Sequence, residues 1–284
     1  MKISISGGTG FIGSVLVAEL VKKGHQVVQI TRDSFGMPLE EFTGKKIEGA
    51  DVVVNLAGAP ISRRWTSRWK EEIRNSRVLT TRKIAEAIAA ATVKPRVLIS
   101  GSAIGIYDDI HTHSEESTNF GQGFMTEVCR DWEAEAGKAQ PFTRVVILRQ
   151  GVVIGDGGMV AKIRFPFSIG LGARISRGDQ HLSFIYIDDL VSLILTAIEN
   201  DSMTGIYNAV APWPTDNRHF SEVLGKVLTQ PVFLSIPSFA LKLLYGEGAQ
   251  VVTGGQRVLP ERLMNEGFQF KYPTIEKALV RTFR

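Results

Sequence analysis

A single cysteine, Cys129, stands in the 284-residue chain. It leaves no intramolecular disulfide and no cysteine-built metal cluster to expect, and it fits a reducing compartment. No apolar stretch reaches the length of a membrane span, and the N-terminus turns into glycines where a signal peptide needs a continuous apolar segment. No membrane role is therefore expected, and the cytoplasm is the expected location. Runs of one charge are missing as well. The 33 basic and 29 acidic residues leave a net +4, and the basic ones come as scattered pairs such as Lys22-Lys23, Lys45-Lys46 and Arg63-Arg64. A phosphate-tracking surface needs Lys and Arg on one face, so no nucleic-acid partner is expected. Neither an internal repeat nor a low-complexity tract breaks the chain.

What is present is a regular alternation of two periodicities. Ile3-Ser4-Ile5, Val27 to Ile30, Asp51 to Leu56, Arg96 to Ser100, Thr143 to Arg149 and Ile206 to Asn208 are short segments dense in Val and Ile, as strands covered on both faces tend to be. Between them lie helical patterns: Ile12 to Gly24, Thr66 to Ala90, Val128 to Ala136, and Leu190 to Ile198 with Asp188 or Asp189 as its expected cap. This alternation predicts an α/β fold with a parallel sheet. The crossover from Ile30 to Val52 contains Gly36, Pro38 and Gly44 and reads as abbreviated. From Pro231 the texture changes to short helical patterns punctuated by Gly and Pro. We therefore expect a nucleotide-binding domain over 1–230 and a small C-terminal lobe over 231–284.

The stretch GGTGFIG, residues 7 to 13, follows the first strand directly and opens the first helix. Gly8, Gly10 and Gly13 satisfy G-x-G-x-x-G, and Gly7, Gly10 and Gly13 satisfy the variant with glycines three apart. By itself this match is weak in a chain with 28 glycines, but strand, turn and helix come in the order that a dinucleotide site requires. An early glycine permits the tight turn, Gly10 lets the backbone approach a pyrophosphate, and Gly13 lets helix and sheet pack closely. The free N–H groups of the helix start then face the phosphates.

The residue closing the second strand selects between dinucleotides, because a carboxylate there meets a ribose 2′-hydroxyl and an Arg meets a 2′-phosphate. Ile30-Thr31-Arg32-Asp33 places Thr31 at that position with Arg32 next to it. The expected cofactor is NADP, with Arg32 on the phosphate. Asp33 is the competing assignment, two residues further on.

GGTGFIG, DVVVNLAG, LISGSAIGIY, ILRQGVVIG, FIYIDDL and GIYNAVAP follow one another as in the extended short-chain dehydrogenase/reductase group, and the resemblance covers nearly the whole chain. More narrowly, NLAGAPI, NSRVLTTR and the ending GGQRVLPERL resemble the epimerase-like, NADP-binding proteins of its atypical branch, which carry a C-terminal conserved domain. The resemblance implies a Rossmann-like doubly wound parallel sheet with a small C-terminal substrate lobe. It also implies cofactor contacts from Gly7, Gly10, Phe11, Ile12 and Gly13; from Thr31 and Arg32; from Leu56, Ala57 and Gly58; from Glu72 and Arg77; from Ser100; and from Gly151 and Val152 near the nicotinamide. For Leu56 and Ala57, simple core packing is the equal alternative.

The wider group orients a substrate oxygen with Ser or Thr and uses a Tyr as general acid/base, its pKa lowered by a Lys one helical turn later. Ser102 falls on the expected strand end, but FMTEVCRDWE, the helix that should carry the pair, holds Met125 and Cys129 or Phe124 and Val128 instead. Cys129 reads as a small buried residue. Ser102 and Tyr107 are the candidate catalytic residues, the latter if its phenol faces the cleft rather than the interior. Arg149 and Arg174 are candidate anion contacts or ion-pair partners, and His111 and His113 read as members of a solvated loop. Two functions fit: an NADP-dependent oxidoreductase or epimerase-like enzyme acting on a small carbonyl or hydroxyl compound, or an NADP(H)-sensing binding protein without turnover. The substrate and the oligomeric state are not legible.

Overall fold

The computed structural model describes residues 1–283. Its centre is made by the Val- and Ile-rich segments, which alternate their side chains between two helical layers. The order along the chain is β1 (Lys2–Ser6), α1 (Phe11–Lys22), β2 (Gln26–Ile30), β3 (Val52–Asn55), α2 (Ser67–Ala90), β4 (Val97–Ala103), α3 (Phe124–Gly137), β5 (Arg144–Gln150), α4 (Ile187–Glu199) and β6 (Gly205–Ala209). These six strands form one parallel sheet in the order β6-β5-β4-β3-β1-β2. On one face Ile3, Ile5, Val52, Val54, Val97 and Ile99 pack with Leu16 and Leu20 of α1 and Leu190 and Ile194 of α4. On the other, Val53, Leu98, Val145 and Ile147 meet Ile84 and Ile88 of α2 and Ala136 of α3. Each fully buried aliphatic side chain contributes roughly 1.5–3 kcal/mol, so the layers themselves hold the sheet's upper rim in place.

The abbreviated crossover has a topological consequence. Between β2 and β3 run only a 3-10 turn at Asp33–Gly36, a single α-turn at Leu39–Phe42 and a π-turn at Thr43–Ile47. Buried Phe42 and Ile47 fasten this segment to the core. No strand forms there to flank β2, so β3 returns to the opposite side of β1. The winding direction therefore reverses between β1 and β3, and a crevice outside the carboxyl ends of strands at such a switch point is where open α/β sheets bind ligands. The register aligns the polar strand ends along that rim: Ser6 pairs with Asn55, Asn55 with Ser100, Ser102 with Arg149, and Arg149 with Asn208.

Thr66 caps α2 by accepting the amide proton of Trp69 at 3.2 Å, a bond of about 1 kcal/mol in typical helices. The cap expected for α4 is different. Tyr186 occupies the N-cap, and Asp189 turns inward from the first turn, fully buried, accepting from the Lys271 and Tyr272 amides at 2.9 Å each. Asp189 thus ties the C-terminal segment to the main sheet. Ile275, Ala278 and Leu279 of the last helix, Ile275–Phe283, enter the same core as β1 and β3.

Candidate functional site

The glycine turn is fixed by its own backbone. Gly7 takes φ +74°, and a Cβ there would lie 2.6 Å from the Leu56 carbonyl oxygen. A Cβ on Gly13 would meet the Gly7 carbonyl and, at 2.7 Å, the Gly8 Cα, so Gly13 gives α1 its close seat on the turn. Gly10 is different, since a Cβ there would touch only the Gly7 oxygen at 3.3 Å. Gly10 is also the N-cap of α1, which has no side-chain cap and no acidic residue in its first turn. The Gly10 amide is taken by the Gly7 carbonyl at 3.0 Å, but those of Phe11, Ile12 and Gly13 have no such partner among the described residues, and the helix dipole favours an anion there. Phe11 lies beside them, its ring covered by Gly155, Gly157 and Gly158. Ile12 packs against the core.

At the end of β2, Thr31 donates its amide to Ser34 Oγ at 3.1 Å and shares a hydroxyl contact of the same length. Arg32, with 84% of its side chain exposed, forms an ion pair with Glu72 of α2. The structure thus brings two of the expected cofactor residues together. At the end of β3, Ser6 donates to Asn55 at 2.5 Å, Asn55 to Thr81 at 2.7 Å and Thr81 to the Arg77 carbonyl at 2.6 Å. This chain fixes the loop Leu56–Ala59 against α2. The Arg77 guanidinium donates to the carbonyls of Ala59 and Ile73 at 3.1 Å, abuts Gly58 and lies 5.4 Å from the Trp132 ring. Arg77 has no carboxylate partner among the described residues, and burial pushes its pKa down. Such a cation favours an incoming anion. Leu56, partly buried, packs its side chain on the core while its amide donates to the Ser6 carbonyl.

The expected catalytic pair is found in the interior. Ser102, 2% exposed, donates to Glu133 Oε1 at 2.6 Å. Arg149 grips the same carboxylate with two bonds of 2.8 Å and donates to the Tyr107 hydroxyl at 2.7 Å. Tyr107, 1% exposed, is stacked on His113 at 4.5 Å, and its hydroxyl faces Asn208 Oδ1 at 2.9 Å and the Ser114 carbonyl at 3.0 Å. The phenol therefore does not face the cleft. Burial raises its pKa despite Arg149, which is the wrong direction for proton transfer near neutrality. Arg149 is likewise a structural ion-pair partner: burial opposes its charge, but the Glu133 bonds more than offset this and raise its pKa. Only Arg174 of the two candidate anion contacts is exposed. His113 is buried rather than solvated, and His111 bonds Asp108 at 2.8 Å.

Ser100 is buried in β4, with its hydroxyl on the Gly101 carbonyl at 3.2 Å. Cys129 is fully buried, and burial pushes its thiol up to about 12, so it is neither a nucleophile nor a base. Gly151 donates its amide to Ala209 and Val152 donates to Ser183, and a Cβ at Gly151 would lie 2.5 Å from the Ser183 carbonyl. Both therefore sit in a crowded seam at the sheet rim. The loop after β3 and the start of α2 also reach late segments: the Trp65 amide donates to the Tyr245 carbonyl at 3.3 Å, Arg64 to the Leu243 carbonyl at 2.6 Å, and Lys70 of α2 pairs with Glu247 at 2.7 Å.

The NAD dependent epimerase/dehydratase family model matches residues 3–209, and a domain of unknown function, DUF1731, matches residues 236–281. The chain belongs to the NAD-dependent epimerase/dehydratase family. An epimerase family protein of Arabidopsis thaliana, the chloroplastic SDR39U1 homolog, is 40% identical over 98% of this chain and 86% of its own length. The crystal structure of the human epimerase family protein SDR39U1 (isoform 2) with NADPH superposes with a TM-score of 0.91 at 30% identity, covering 99% of each chain. A UDP-glucose 4-epimerase from Thermotoga maritima, at 17% identity and a TM-score of 0.78, shares the fold.

Three polar residues that organise this region differ in how far the sequence signals them. Glu133 had a signal: Arg149 is a charge inside an apolar strand and calls for a buried partner. Asn208 and Thr81 carried none, because each acts on residues distant in the chain. No helix of the described residues is long and apolar enough to cross a membrane.

Proposed function

We propose that this chain is an NADP(H)-dependent oxidoreductase of the epimerase type, acting on a small carbonyl or hydroxyl compound in the cytoplasm. One observation carries the reading: the N-terminus of α1 has no side-chain cap, and behind Gly10 a Cβ would meet only the Gly7 oxygen, which leaves the approach to the helix amides open to a diphosphate. The half-buried, carboxylate-free Arg77 adds a second attraction for an anion. In this reading the amides from Phe11 to Gly13 hold the diphosphate, Arg32 the 2′-phosphate, the Leu56–Gly58 backbone the adenosine side, and Gly151 and Val152 border the nicotinamide. When bound, the dinucleotide supplies hydride chemistry.

Ser102 keeps a role as an oxygen-orienting residue. Its hydroxyl donates to Glu133, so only its oxygen lone pairs are left to accept from a substrate hydroxyl, and with Ser102 2% exposed that contact requires the substrate to reach the end of β4. The proton of the reaction is assigned to water, since Tyr107 is committed to Asn208, Ser114 and Arg149.

The test combines NADPH fluorescence on binding with loss of 340 nm absorbance over a panel of aldehydes, ketones and nucleotide sugars. Consumption of NADPH with a panel member, slowed in Ser102→Ala at saturating NADPH, supports the enzyme. Binding without consumption of any panel member supports the other reading, a cofactor-sensing protein, whose hydroxyls are spent on structure.

A further inference from the structure

We propose that Glu72 sets the choice between the two dinucleotides by competing for Arg32. The proposal rests on the nucleotide site assigned above. The backbone at Arg32 is held in place: it caps the turn Asp33–Gly36, and the buried Ser34 hydroxyl binds both the amide and the hydroxyl of Thr31. The guanidinium at its end is exposed, and its one carboxylate partner among the described residues is Glu72, a third exposed on α2. Glu72 in turn has no other partner among them.

The position after the second strand is where the 2′ substituent of the adenosine ribose is read. A carboxylate and a phosphate present the same kind of oxygen fork to a guanidinium, so Glu72 and a 2′-phosphate are rivals for one group. A phosphate that takes Arg32 must displace Glu72 or lie beside its negative charge, and both cost affinity. A dinucleotide with a free 2′-hydroxyl displaces nothing, and the Glu72 carboxylate accepts a hydrogen bond from it. Glu72 therefore opposes NADP and favours NAD, acting as a counterweight to Arg32. In this pair Arg32 supplies the attraction for phosphate, and Glu72 limits how far the preference goes.

The test is titration of NADPH and NADH into the full chain, read by nucleotide fluorescence, for the wild type, Glu72→Gln, Arg32→Ala and the double variant, with melting curves to confirm folding. Glu72→Gln is expected to bind NADPH about two- to fivefold more tightly, the scale of an exposed ion pair, and NADH no more tightly than the wild type. In the Arg32→Ala background that gain disappears, because the rivalry has lost its object. Glu72→Lys moves the ratio further the same way. An unchanged NADPH/NADH ratio in Glu72→Gln overturns the proposal, as does a gain of full size without Arg32, which indicates long-range charge alone. A wild type that binds neither dinucleotide fails differently, by removing the nucleotide site on which the proposal stands.

Discussion

Ser102 donates its hydroxyl proton to Glu133 at 2.6 Å, and Arg149 binds that carboxylate through two further bonds of 2.8 Å. The two partners of the ion pair are nearly water-free, with side-chain exposures of 4% and 11%. Glu133→Ala strands a buried guanidinium and is expected to cost about 3–5 kcal/mol of unfolding free energy. Ser102→Ala leaves Glu133 its two Arg149 bonds and is expected to cost about 1 kcal/mol. Urea unfolding of both variants checks the ranking, and equal losses contradict the network.

The three glycines of the turn are expected to separate folding from binding. Gly13→Ala forces a Cβ into the turn's own backbone, and Gly7→Ala adds left-handed strain to a clash with Leu56. Both are expected to lower the melting temperature. Gly10→Ala, whose Cβ meets only the Gly7 oxygen at 3.3 Å, is expected to melt within a few degrees of the wild type yet lose NADPH affinity by about tenfold or more, the scale of one lost charge-assisted contact. A Gly10→Ala protein that binds NADPH normally contradicts this assignment.

Arg77→Met removes a half-buried cation that no carboxylate among the described residues balances. Its stability is expected to stay within about 1 kcal/mol of the wild type, because lost hydrogen bonds are offset by relief of the desolvation cost. Its NADPH affinity is expected to fall about tenfold or more. Calorimetric melting and nucleotide titration of the same sample separate the two effects.

Asp108 gives a pH signature. The His111 amide at 2.9 Å leads in holding its carboxyl well below the usual range against the opposing effect of burial, with further help from the His111 ring and the Ile110 amide. A depressed folded pKa stabilises the fold above the unfolded value of about 3.9, and that stabilisation is lost as pH falls below it toward the folded value. The melting-temperature gap between the wild type and Asp108→Asn is therefore expected to be open at pH 7 and to close below about pH 4. A gap that does not change with pH contradicts the assignment.

Local features of the fold were legible because local sequence determines them. β1, the glycine turn and α1 are contiguous, and Thr66 is an N-cap whose partner is three residues away. The short crossover was visible in Gly36, Pro38 and Gly44, though its result, β3 changing sides, came from the sheet. Long-range polar burial was not legible. Tyr107 could be read as lining a cleft until Arg149 and Asn208, on two other strands, closed on its hydroxyl. Asp189 could be read as a cap until the Lys271 and Tyr272 amides claimed its carboxylate. The Arg32–Glu72 pair lies between: both residues carried a cofactor expectation, but their mutual contact needed α2 to be set beside β2.

The central claim is that the bare amides of α1, with Arg32 and Arg77 nearby, bind a 2′-phosphorylated dinucleotide. Isothermal calorimetry of NADPH and NADH into the purified full chain tests it most directly. Saturable heat with NADPH at one site per chain, and weaker heat with NADH, is the predicted result. No heat with either dinucleotide contradicts the account.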